Sequence, residues 1–217
     1  MPEDPGYDPP LITHVSIHDR WGSADGVLTN HGSSLVLEFG GNRFEGYSPD
    51  GLEPTTDPGR TPQPPELDNG DLCGFTMTWS LPVRVRLASG TEQLPLTLEV
   101  SVPSRSRPGP PALVHGVSLT LRRGDDVLAA SGHQSDMEQA LPALQRDAPD
   151  GVHIETCASC AFSDYHPGGY GFMGSLGCFR SRKEEFAAIE WKDGLFALWN
   201  DRAGDVQETY SCADYTR

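Results

Sequence analysis

Four cysteines in the last third of the chain have the types and spacing of a metal site. Cys157 and Cys160 form a C-x2-C pair, Cys178 follows after 17 residues, and Cys212 after a further 33. A C-x2-C turn lets two thiolates converge on one ion, and two distant thiolates can complete a tetrahedron. This chemistry predicts a zinc ion held by Cys157, Cys160, Cys178 and Cys212, with metal binding coupled to folding of a region poor in apolar residues. Four thiolates also suit an iron–sulfur cluster, although nothing else in the sequence suggests electron transfer. The same residues could instead be small buried side chains, or a redox C-x-x-C pair. The redox reading wants a helix directly after the motif, whereas Phe162-Ser163-Asp164-Tyr165 leads into His166-Pro167-Gly168-Gly169. The fifth cysteine, Cys73, fits an ordinary core position on a strand.

Polar and aromatic residues crowd the same stretch. Asp164, Tyr165, His166, Tyr170 and Arg180 lie within seventeen positions. If one thiolate were not a ligand, Asp164 or His166 could replace it. A three-ligand site with an open position could then activate a water, with Tyr165 and Arg180 nearby as catalytic candidates. The plainer role for Asp164 and His166 is hydrogen bonding within turns and to groups around the metal. Two motif matches fail on context. Gly169-Tyr170-Gly171-Phe172-Met173-Gly174 spells G-x-G-x-x-G, but a dinucleotide site needs a strand before it and a helix after it, inside a βαβ unit. Met173-Gly174-Ser175-Leu176-Gly177 lacks the glycine two positions before the serine of a nucleophile elbow. His14 and His18 share one face of an expected strand, which makes a second metal site conceivable and two solvated histidines the plainer reading.

The block C-x-x-C-x-F-S-D-Y-x-P-x-G-x-G (Cys157 to Gly171), the C-F-R at Cys178-Phe179-Arg180, and the Q-E-T-Y-x-C at Gln207 to Cys212 together resemble an uncharacterised bacterial family. Leu195-Phe196-Ala197-Leu198-Trp199 fits as well. The resemblance spans roughly residues 135–215 and implies membership without implying an activity. The tail departs from the family pattern: Ala213-Asp214-Tyr215 stands where a Pro-Glu-Phe-like run is expected.

The elements that must position these residues follow from periodicity. Residues 1–10, rich in proline and acid, predict a disordered arm. Between 11 and 130 about nine short runs with turn residues between them predict antiparallel strands. The cleanest is Leu94 to Val102, where Leu94, Leu96, Leu98, Val100 and Val102 share one face. Phe75, Met77, Trp79 and Leu81 mark another strand, and Gly40-Gly41 signals a hairpin. A Pro-rich stretch at 48–70 reads as a long loop. After 130 the character changes. Ser135-x-x-Glu138 opens a helix carrying Met137, Ala140, Leu141 and Leu144, with Pro142 in conflict. Gly151 to Thr156 reads as a strand, 161–177 as irregular, and Ser181-x-x-Glu184 and Asp193 as starts of two short helices. The expected class is α+β: an antiparallel, β-sandwich-like part at 11–130, then a small helical, zinc-stapled part at 131–217, packed together as one domain.

Composition narrows the functions. A formal net charge of -15 repels phosphate backbones, so nucleic acid is not an expected partner. No apolar run is long enough to cross a membrane and no leader is visible, so a cytoplasmic protein is expected. Three functions fit: a binding or accessory protein with a structural four-cysteine zinc site; a small metal-dependent enzyme of a specialised bacterial pathway using Asp164 and His166; and an acidic immunity or inhibitor protein that meets a basic partner. The partner is thus an unidentified small molecule or protein.

Overall fold

The longest hairpin of the chain sets the frame. In the computed structural model, which describes residues 7, 9–57, 59, 61–104, 115–169, 171–174 and 176–217, the order begins with β1 (Leu11–Asp19), β2 (Gly22–Asn30), β3 (Leu35–Phe39), β4 (Asn42–Gly46), β5 (Glu53–Pro54), β6 (Glu66–Asp68) and β7 (Asp71–Cys73). β8 (Phe75–Leu87), β9 (Gly90–Val102), β10 (Gly116–Arg123), β11 (Asp126–Gln134), α1 (Met137–Asp147) and β12 (His153–Glu155) follow. The chain ends with β13 (Ser163–Tyr165), β14 (Leu176–Cys178), α2 (Lys183–Ala187), α3 (Lys192–Leu198) and β15 (Gly204–Val206). Most of the predicted arm, and residues 105–114 of the predicted break and strand at 103–121, lie outside the described residues.

The β8–β9 hairpin pairs without a slip from Phe75↔Val102 to Leu87↔Gly90. Alternation sends Phe75, Met77, Trp79, Leu81, Val83 and Val85 inward opposite Val102, Val100, Leu98, Leu96 and Leu94, all buried. The periodicity predicts two strands here, Cys73 to Leu81 and Val83 to Leu87, split at Pro82. The structure makes one strand, with Pro82 directly opposite Pro95 and both outside the core. Proline donates no ladder bond, and β8 changes its other neighbour around it: Phe75–Trp79 pair with β1, and Arg84–Arg86 with β12.

The result is one ten-stranded antiparallel sheet, ordered β11-β10-β9-β8-β1-β2-β3-β4-β5 with β12 on β8. The expected antiparallel, β-rich part is present as this connected sheet, and its inward residues share one core with those of α1. Gly40 and Gly41 both take positive φ (57° and 80°) and close the predicted β3–β4 hairpin. The 48–70 stretch is less irregular than predicted: it carries β5, β6 and a 3-10 turn at Pro49–Gly51, and Leu52 is fully buried.

α1 packs Met137, Ala140, Leu141 and Leu144 into the core. Its cap is Asp136 rather than Ser135: the Asp136 Oδ1 accepts the Gln139 N–H at 2.9 Å. Pro142 sits on the exposed side of the helix, where the missing N–H costs least. Asp136→Ala is expected to lower stability by about 1 kcal/mol, measured as a lower urea midpoint at unchanged slope. Further along the helix, the Gln145 amide receives the Ile154 N–H (2.9 Å) and donates to the Val152 carbonyl (2.8 Å), which docks β12 beside it.

The predicted irregular loop at 161–177 also contains order. β13, β14 and β15 form a small antiparallel sheet with Cys178 in its middle strand. α2 and α3 begin without the predicted side-chain caps, at Arg182 and Trp191. Phe179 stacks on Phe186 (4.6 Å) beside Leu195, Leu198 and Trp199.

Candidate functional site

β12 delivers the first cysteine. Alternation sends Ile154 into the main core and Glu155 to the opposite face. Cys157 opens a 3-10 turn, Cys157–Ser159, and Cys160 closes it by donating its N–H to the Cys157 carbonyl (3.1 Å). Ser159 Oγ holds the turn, accepting the Thr156 N–H at 3.3 Å and lying 3.0 Å from the Ile154 carbonyl. Cys178 stands opposite Ser163 on one side and Gly204 on the other. The Ser163 hydroxyl donates to the Cys157 carbonyl, which ties the two segments together.

The C-terminal segment completes the cluster. The N–H groups of Cys157 and Ala158 donate to the carbonyls of Tyr210 (2.6 Å) and Glu208 (3.1 Å). Gln207 donates its N–H to Gly32 in the β2–β3 connection (2.6 Å), and the Glu208 carboxylate accepts the Gly174 N–H (2.8 Å). Gln207, Glu208 and Thr209 are fully buried, so this polar run is an internal wall. Gly174, at φ 80°, could not carry a side chain: an added Cβ would meet the Tyr47 carbonyl oxygen at 2.4 Å. Cys212 follows, and Ala161 donates to Thr216 (2.7 Å), folding the tail over the first turn.

Cys157, Cys178 and Cys212 thus share a small apolar cluster with Leu176, Val206, Tyr165 and Tyr210. All four cysteines are free thiols. Burial pushes the Cys157 thiol well above its ordinary 9.0, and Cys212, Cys178 and Cys160 push it further. Burial also raises Cys178, against a backbone hydrogen bond from Arg180 and the Arg180 charge. Tyr210 is pushed up to about 12, first by burial and then by Cys212. Among the described residues, no three or more His, Cys, Asp or Glu side chains already form a metal-holding group.

The predicted polar residues divide. The Arg180 charge acts on the Cys157 and Cys178 thiols, and Tyr165 packs into their cluster. Asp164 and His166 lie on the rim of an outer groove of about 580 Å³. Asp164 Oδ1 accepts the Tyr165 N–H (2.8 Å), and His166 Nδ1 accepts the Gly168 N–H (3.0 Å), both local turn bonds. Tyr170 lies outside the described residues. The G-x-G-x-x-G stretch runs between two antiparallel strands, with Gly169 and Gly174 at positive φ, and β14 follows it where a helix would be required. His14 and His18 are exposed on β1.

Sequence reasoning missed a clamp behind the cysteines. Glu155, 4% exposed, pairs with Arg84 at 3.2 Å and with Arg86 at 3.5 Å. Arg84 also donates to the Cys212 carbonyl at 3.2 Å. One strand of the main sheet therefore grips both the segment leading to Cys157 and the tail carrying Cys212. The available signal was an R-V-R alternation on β8 facing an acid two residues before Cys157.

Fold and cluster together define a β-rich protein bearing a small cysteine-lined appendage. The chain belongs to a family of unknown function, DUF6304, whose profile matches residues 14–163. The match takes in α1, most of the main sheet and the C-x2-C pair, and stops before Cys178 and Cys212. No curated protein and no solved structure matches the chain significantly. No helix among the described residues is long and apolar enough to cross a membrane.

Proposed function

We propose that the protein binds one zinc ion through Cys157, Cys160, Cys178 and Cys212, and that the ion fixes the appendage of a binding or accessory protein. The observation that carries this reading is the packing of Cys157, Cys178 and Cys212, from three separate segments, into one small cluster, with Cys160 at the other end of the 3-10 turn that Cys157 opens. Packed together without a cation, such sulfurs stay protonated, because each developing thiolate repels the next. A dication inverts that balance, and four thiolates saturate a tetrahedral site. The Arg180 backbone N–H on the Cys178 sulfur favours the thiolate, and the Arg180 charge offsets part of the surplus negative charge of such a site.

The test is a zinc titration of the metal-free protein in weak buffer at pH 7. Uptake of one zinc is expected to release at least two protons, since both Cys157 and Cys178 are held in the thiol form. The sign with pH follows. Zinc is lost on acidification, as protons compete for the sulfurs. The metal-free fold keeps its stability below the ordinary thiol value of 9.0 and loses it as the pH rises past that point, where unfolded thiols ionise and the buried ones resist. Zinc binding without proton release, or no binding at micromolar zinc, contradicts the proposal.

A further inference from the structure

The surface outside the thiol cluster carries its own signal. The groove of about 580 Å³ runs between the β13 loop and α3, and continues past His166 and Gly169 into a second of about 420 Å³. Glu138, Asp164 and Glu190 line the first, and none has an ion-pair partner among the described residues. The one lysine on it, Lys192, has its ammonium 5.9 Å from the centre of the Phe196 ring. Trp191 stands on the lip at 78% exposure, the most exposed large apolar side chain among the described residues. Tyr47, on the second groove, is 66% exposed, and Phe196, packed against the shared His166, is 44% exposed. Isolated exposed apolar residues are common, but Trp191 and Tyr47 on two grooves that share His166 and Gly169, with Phe196 against that His166, mark a contact surface.

We propose that this groove docks an extended, arginine- or lysine-rich segment of a partner protein. The argument is complementarity. Unpaired carboxylates attract cations and disfavour anionic ligands, and an open indole face offers a cation a second, quadrupolar attraction. The net charge of -15 adds long-range steering of the same sign. The groove offers the aromatic-plus-acid lining that a guanidinium requires on its face and its edge. The inference does not depend on the metal.

The test measures binding of a capped hexaarginine peptide to the full chain by calorimetry at low salt. Replacing Glu138, Asp164 and Glu190 together by Gln, Asn and Gln is expected to weaken binding about 10-fold, and Trp191→Ala about 3-fold. A matched triple neutralisation on the exposed strand positions Asp25, Glu53 and Glu99 is expected to change it less than about 2-fold. All these positions are exposed except Glu138, which is half-buried, and unchanged circular dichroism confirms that the variants fold. Equal loss from the two triple variants would show attraction by overall charge alone and overturn the proposal. So would tighter binding of hexaglutamate or of anionic lipid vesicles, or no hexaarginine binding at millimolar peptide.

Discussion

Replacing Cys157 with serine is expected to abolish zinc retention, taking the metal content from one ion per chain to below about 0.1 after desalting. Cys157 is the most buried cysteine of the cluster: it is 4% exposed, packs with Cys178 and Cys212, and donates its N–H to the Tyr210 carbonyl. A serine hydroxyl ionises far less readily and is a poor zinc ligand. The remaining thiols cannot saturate the ion, so the segment from 157 onward should become protease-sensitive while the ten-stranded sheet keeps its core. Cys73→Ala is the contrast. Cys73 is buried in the main core, away from the cluster, so this change should cost some stability and leave the zinc content at one. Limited proteolysis and metal analysis of the two variants read both outcomes. Loss of zinc from Cys73→Ala with retention in Cys157→Ser would reverse the assignment.

Glu155→Ala is the second large effect, and it acts through position. The carboxylate is nearly inaccessible, and its removal leaves Arg84 and Arg86 facing a void on the covered side of the sheet. Breaking a buried pair by removing one partner costs about 3–5 kcal/mol. The two guanidiniums are partly exposed, at 32% and 43% of their side chains, so solvent screens them and about 2–3 kcal/mol is expected. Urea unfolding should show a lower midpoint at unchanged slope. Because Arg84 also holds the Cys212 carbonyl, zinc affinity should fall about 10- to 100-fold, as for loss of an outer support of a metal ligand. Arg84→Lys keeps the charge without the fork and should lose less. A Glu155→Ala protein as stable as the parent, with equal zinc affinity, would show that the clamp positions nothing.

What could be read in the chain before its structure depended on the range of the forces involved. The β9 alternation from Leu94 to Val102 is a local pattern with one meaning, and the strand is there, extended back to Gly90. β8 was less legible because Pro82 looks like a terminator until its partner, Pro95, is seen across the ladder. The helix of Met137 to Asp147 was visible in its apolar spacing, but its cap was misplaced by one residue: Ser135 and Asp136 can both cap, and the Ser135 hydroxyl instead donates to Asp136. β13 and β14 were invisible because three-residue strands in a Gly-rich stretch carry too few side chains for a period to show. The cysteine spacing singled out Cys157, Cys178 and Cys212, which pack into one cluster, and Cys160, one turn from Cys157. The support behind them was hidden, because Glu155 finds Arg84 and Arg86 on a distant strand and nothing local marks it as buried. Asp164 and His166 looked like neighbours of the cysteines by sequence proximity, yet both line the outer groove, Asp164 from β13 opposite Gly177 and His166 from the turn that follows.

The most direct test of the zinc proposal is X-ray absorption at the zinc edge on the protein purified without chelators. The expected spectrum is one zinc per chain with four sulfur neighbours at about 2.3 Å and no exchangeable water. Nitrogen or oxygen ligands with an open position would contradict a structural four-cysteine site and return attention to His166 and Asp164; a protein that purifies and refolds without zinc would contradict the metal itself.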